Sequence, residues 1–193
     1  MNHVYSTTAF VLKSFAISES NKKLILLSSD FGVMRVNAQA VRKMESKLRP
    51  MIQDFCRAEF SVVRGNQGWR LVNAANSENI KNNLSNEKFF ILAKIFSLLD
   101  RLNPEEDGDG GLYPIVHGFV EFLSCQDLNS EELEGFEVLT VLKVLNHLGY
   151  LERKSDFFDV VEELNSRDAI KQILKHKKES VRVVNQAIKE SHL

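Results

Sequence analysis

Lys13, Lys22, Lys23, Arg35, Arg42, Lys43, Lys47 and Arg49 fall within residues 13–49, opposed there only by Glu19, Asp30 and Glu45. Cations at that density are suited to phosphate screening. They displace counterions from a polyanion and hold it without making or breaking a bond. Phe15, Phe31, Phe60 and Trp69 supply aromatic faces in the same part of the chain, able to stack on bases or to fill the inside of a small barrel. A second cationic set, Lys171, Lys175, Lys178 and Arg182, is spaced four, three and four apart. On one continuous helix these side chains share a face that would take phosphates or an acidic segment of a partner protein, with Asp168 and Glu179 diluting it.

Residue patterns for covalent chemistry are missing. The sequence has no Gly-x-Ser-x-Gly elbow, no Walker-type loop, no Gly-x-Gly-x-x-Gly and no His-Glu-x-x-His. His3, His117, His147, His176 and His192 are scattered without ligand-like spacing, and Cys56 and Cys125 are the only cysteines. Cys56 sits in a strand-like stretch and reads as a small buried hydrophobe rather than a nucleophile. Asn103–Gly111 alternates carboxylates with glycines, but an EF-hand loop starting at Asn103 or Glu105 would need an acid at Pro114 or Val116. It reads as a solvated acidic linker. The expectation is a binding protein, not an enzyme, with no cofactor and no metal.

The chain that must position these residues has 193 of them, 44% hydrophobic and 26% charged, with a net charge of −1. That near-neutrality hides a division. Residues 1–80 hold 11 Lys+Arg against 6 Asp+Glu, residues 81–150 hold 5 against 12, and residues 151–193 hold 9 against 8. A basic first part and an acidic middle imply divided labour, because local potential steers partners. No basic-then-apolar leader is visible at the start, and the most apolar stretch, Phe89 to Leu99, is too short to span a bilayer. A cytoplasmic protein without membrane contact is expected.

The texture changes where the charge does. Phe10-Val11-Leu12, Leu24 to Leu27, Val33 to Val36, Phe60 to Val63 and Trp69 to Val72 are short runs rich in branched and aromatic residues. Ser28-Ser29-Asp30 with Gly32, and Gly65-Asn66-Gln67-Gly68, read as tight turns between them. Five short strands predict a small closed barrel of the OB type, with Gln39–Lys47 a loop or short helix. From Ser77 onward apolar residues recur at three and four: Phe89, Leu92, Phe96 and Leu99, then Leu112, Val116, Phe119 and Leu123. Asn129 and Glu132 are placed as a capping box for a helix through Leu148, with Gly149 at its C-terminal cap. A last helix is expected from Ser166 to near Glu190. The expected fold class is α+β: an OB-fold barrel over 1–80 whose cations would meet a nucleic acid, then an all-α domain over 81–193.

Several short pieces, in order, resemble the bacterial recombination mediator family RecO. Ala9-Phe10-Val11-Leu12-Lys13, Ser18-Glu19-Ser20, Leu24 to Leu27, Phe31-Gly32 and Val36 to Lys43 match its opening strand, Ser-Glu turn, leucine-rich strand and basic segment. Leu48-Arg49-Pro50, Glu59 to Gly65, Trp69, and Leu145 to Gly149-Tyr150 continue the order. The resemblance implies an OB-fold followed by helices and no covalent chemistry. It also implies binding of single- and double-stranded DNA, annealing of complementary strands, and recombinase loading together with RecR in a nucleoid-associated setting. It further implies contact of the helical domain with the C-terminal tail of single-stranded DNA-binding protein (SSB). Arg42 and Lys43 match the family's basic segment, whereas Gln39-Ala40 stand where a basic residue and Gly are usual. The family's four-cysteine zinc module has no counterpart at Leu151-Glu152-Arg153-Lys154, so zinc is not expected. The alternative is an adaptor that holds protein partners and has little DNA affinity of its own.

Overall fold

The computed structural model describes residues 3–102, 111–151, 158–163 and 165–190. The acidic run Asn103–Gly110 and the segment after Leu151 that begins Glu152-Arg153-Lys154 lie outside the described residues. The chain forms two compact units, Met1–Asn83 with Asn103–Tyr113, and Leu84–Leu102 with Pro114–Leu193.

The first unit holds five strands, β1 (Val4–Ala16), β2 (Lys22–Ser28), β3 (Gly32–Ala38), β4 (Cys56–Gly65) and β5 (Gly68–Asn79). They close into a barrel of order β1-β2-β3-β5-β4, the arrangement of an OB-fold, so no sheet edge is left open. Alternation drives the closure. Ala9, Val11, Leu24, Leu26, Met34, Val36, Phe60, Val62, Trp69 and Leu71 point inward and form the core. Gly32 takes φ +63° in the β2–β3 turn, a conformation glycine adopts at little cost. The Ser28 hydroxyl accepts from the Asp30 and Phe31 backbone in the same turn. Four of the five barrel seams are long antiparallel ladders, and β3 and β5 close the ring through a short parallel contact, Val36 with Trp69 and Asn37 with Arg70.

Two boundaries differ from the sequence reading. β5 runs to Asn79 and a 3₁₀ turn follows over Ile80–Asn83, so helix begins at Asn86 rather than near Ser77. Between β3 and β4 the chain is irregular up to a 3₁₀ turn at Arg49–Ile52, where Pro50 lies in the first turn and needs no donor.

Six helices are described: α1 (Asn86–Leu102), α2 (Leu112–Cys125), α3 (Ser130–His147), α4 (Phe158–Glu162), α5 (Arg167–Lys175) and α6 (Lys177–Glu190). α3 carries both expected caps. Asn129 accepts from Glu132 N at 2.9 Å while Glu132 accepts from Asn129 N at 3.0 Å. At the other end Gly149 has φ +78°, and Tyr150 N reaches back to Leu145 O at 2.9 Å. Its buried Phe136 packs 5.2 Å from Phe119 and 4.7 Å from Phe122 of α2. The expected single last helix is broken: His176 leaves helical geometry at φ −107°, ψ 23°, and its carbonyl accepts the first bonds of α6 from Glu179 and Ser180.

Candidate nucleic-acid interface

The outer face of β1, β2 and β3 depends on a bulge in β1. Val11 pairs with Leu26, yet Lys13 pairs with Ile25, so Leu12 is an extra residue that moves the alternation by one. Lys13 and Phe15 therefore face outward although they share the parity of the buried Ala9 and Val11. Directly paired residues lie on one face, which gives two adjacent rows. One row is Lys13, Ile25 and Arg35; the next is Phe15, Lys23, Asn37 and Arg70. The second row crosses three strand gaps, a span of about 14 Å. Phe15 is 41% exposed, whereas Ile25, in the middle of the first row, is buried.

The remaining cations of the basic stretch stand elsewhere. Lys22 pairs with Ala16 and Ala38, the opposite parity to Lys23, and its Nζ donates to Ser14 Oγ at 3.0 Å. Arg42, Lys43, Lys47 and Arg49 lie exposed in the β3–β4 connection. That connection is pinned to the β1–β2 turn: Arg42 Nη1 donates to Ser18 O at 2.6 Å, Arg42 N to Ser20 O at 3.0 Å, and Ala40 N to Asn21 Oδ1 at 2.9 Å. The eight cations thus form a strand-face group of Lys13, Lys23 and Arg35, a loop group of Arg42, Lys43, Lys47 and Arg49, and the separate Lys22.

Three of the four aromatic residues are structural. Phe60 is fully buried, and Phe31 and Trp69 pack 5.2 Å apart with Tyr5 against both. Arg64 lies over the Trp69 ring at 5.4 Å. Phe15 alone of the four stands on the cationic face. Beside that cluster Thr7 donates to Asp30 at 2.6 Å and Ser29 donates at 2.7 Å, which holds the Asp30 carboxyl below its ordinary value. Cys56 is buried, and burial pushes its thiol up, away from nucleophilic use.

Arg70 was missed by sequence reasoning, because only the parallel β3–β5 contact brings it beside Asn37 and the basic stretch. A signal existed. Trp69 and Leu71 are apolar in a strand-like run, so Arg70 between them had to face out. Asn37 and Arg70 also line a shallow groove with Gln39, Gly65, Asn66, Gln67 and Gly68.

Comparison with known proteins bears on the same residues. Residues 1–80 match the family model described as Recombination protein O N terminal, which covers all five strands. The chain is 29% identical over 150 residues to a DNA repair protein RecO of Caldanaerobacter subterraneus subsp. tengcongensis, covering 75% of this chain and 58% of that one. It is 38% identical over 63 residues to one of Desulforudis audaxviator, covering 33% and 25%. The chain is RecO-like. It spans about half the length of the curated relatives it matches over most of its own.

In the helical unit of this RecO-like chain, the four cations of the expected stripe do not share one helix. Lys171 and Lys175 belong to α5, Lys178 and Arg182 to α6, with the break at His176 between them. Lys171 pairs with Asp168 at 3.3 Å and Arg182 with Glu179 at 4.0 Å. A different surface offers apolar area: a groove between α1, α3 and α6 lined by Phe90, Ala93, Leu98, Val141, Val184 and Ile188. Phe90 is 63% exposed there, Lys94 lies 4.9 Å from its ring centroid and 2.8 Å from Glu137, and Arg101 stands at the rim. Among the described residues no metal-binding group of His, Cys, Asp and Glu is gathered, and no helix is long and apolar enough to cross a membrane.

Proposed function

We propose that this RecO-like chain serves recombinational DNA repair by binding single- and double-stranded DNA without reading sequence and by bringing complementary strands together. The observation that carries this reading is the outward row Phe15–Lys23–Asn37–Arg70, with Lys13 and Arg35 on the same strand face. Fixed cations on a strand face neutralise phosphates, releasing counterions and lowering the repulsion between two strands. Phe15, set among them, gives a base a ring on which to stack. Fluorescence anisotropy of a labelled single-stranded oligonucleotide, titrated at several salt concentrations, tests this. Binding that weakens steeply with salt is expected, and a slope near zero overturns the mechanism.

A second part of the proposal concerns partners. The apolar groove with Phe90 exposed and Lys94 and Arg101 at its edge suits an acidic, apolar peptide such as the SSB tail, while RecR would share in recombinase loading. The same groove favours the alternative reading, an adaptor with little DNA affinity. Tight SSB-tail binding, lost on Arg101→Glu, together with no salt-dependent DNA binding, would select the adaptor.

A further inference from the structure

The groove at the end of the second row has an unusual lining for a phosphate site. Asn37, Gln39, Asn66 and Gln67 bring four carboxamides to it, with Arg70 and no Lys, Asp or Glu. None of the four side chains has a hydrogen-bond partner among the described residues. Gly65 and Gly68 form the paired ends of the hairpin and leave the backbone open; a Cβ at Gly68 would have nothing within 4 Å.

Carboxamides carry two donors and an acceptor on one planar group. A phosphate only accepts, so it would engage the NH₂ groups alone, while the carbonyl oxygens of these solvent-accessible side chains would stay with water. A nucleobase edge carries both donors and acceptors and meets both halves. Position supports this choice, since Asn37 and Arg70 belong to the row and to the groove alike. A strand held by Lys23 and Arg70 would bring a base to the carboxamides.

We propose that the groove of Asn37, Gln39, Asn66 and Gln67 beside the β4–β5 hairpin takes the hydrogen-bonding edge of an unpaired nucleobase. This deepens the nucleic-acid reading above and rests on it. The consequence is a preference for single strands that does not depend on charge, because duplex pairing occupies the Watson–Crick edges. A complementary strand then competes with the groove for the same edge and strips the base from it, so pairing itself releases the product.

The test compares an oligothymidylate with the same length of difluorotoluene nucleotide, which keeps shape and stacking but lacks the hydrogen-bonding edge. Thymine is expected to bind about fivefold more tightly, the worth of one or two hydrogen bonds. Asn66→Ala with Gln67→Ala should erase that difference and leave the salt slope unchanged. Gln39→Ala, outside the hairpin, should reduce it and keeps the test sound if the double change disturbs the turn. Equal affinity for the two oligonucleotides, with a steep salt slope, overturns the groove assignment and leaves phosphate binding standing. Binding of neither at low salt overturns both.

Discussion

Replacing Lys23 and Arg70 together by Ala separates the strand face from the loop. Lys23 sits inside the second row and Arg70 closes it. If Lys13, Lys23, Arg35 and Arg70 each neutralise one phosphate of a single strand, log affinity falls against log salt at a slope of about −2.8, and removing two contacts leaves about −1.4. Between 50 and 200 mM salt the unaltered chain then loses about fifty-fold in affinity and the variant only about sevenfold. Both side chains project from the outer face, so stability should stay within about 0.5 kcal/mol, which a denaturant melt checks. The control is Lys43→Ala with Lys47→Ala, which removes the same charge from the exposed β3–β4 connection. It should leave the slope near −2.8. A slope halved by the loop pair and untouched by Lys23→Ala with Arg70→Ala would refute the row and move the phosphate path to the loop.

Phe15→Ala should weaken single-strand binding by about 1–3 kcal/mol while the salt slope and the melt stay unchanged. An equal loss on duplex would argue against stacking. Asp30 is held below its ordinary value by the Thr7 and Ser29 hydroxyls, so its ionised form favours the folded barrel. That contribution is full above the unfolded carboxylate value and is lost as pH falls through the lowered folded value; Asp30→Asn should flatten this acid limb in pH-dependent denaturation. Gly135→Ala places a Cβ 2.9 Å from Leu174 Cγ and 3.0 Å from Ile170 Cγ2. Overpacking of about 1–3 kcal/mol should outweigh the gain of about 1 kcal/mol in helix propensity, and a variant that melts higher would contradict this.

The five strands were legible because each is a short run rich in branched and aromatic residues, and turn residues such as Gly65-Asn66-Gln67-Gly68 separate them. The ends of α3 were legible because capping is local chemistry: Asn129, Glu132 and Gly149 act within a few residues of themselves. The break at His176 was not. Lys175-His176-Lys177-Lys178 contains neither Gly nor Pro, and the apolar period runs on from Ile170 and Ile173 to Val181 and Val184. Contacts distant in sequence accompany it, with Ile170 and Leu174 packed at Gly135 and Lys177 paired with Glu134. The groove at Phe90 was missed for a related reason: Phe90 falls off the apolar period Phe89, Leu92, Phe96 and Leu99, and only the fold gathers Val141, Val184 and Ile188 from α3 and α6 beside it.

Counting charge along residues 13–49 finds the cations but cannot say which of them act together. Strict alternation from Ala9 and Val11 would drive Lys13 into the barrel, where an unpaired ammonium costs several kcal/mol. One extra residue at Leu12 turns Lys13 and Phe15 outward, and the ladders then align them with Arg35, Lys23, Asn37 and Arg70. The same parity sends Lys22 away from its neighbour Lys23. The cationic face is therefore set by register, a relation between strands. A register slip of one residue in β2 would exchange Lys23 for Lys22 on that face and bring Leu24 and Leu26 out with it, so the core that fixes the fold also fixes which cations meet a phosphate chain.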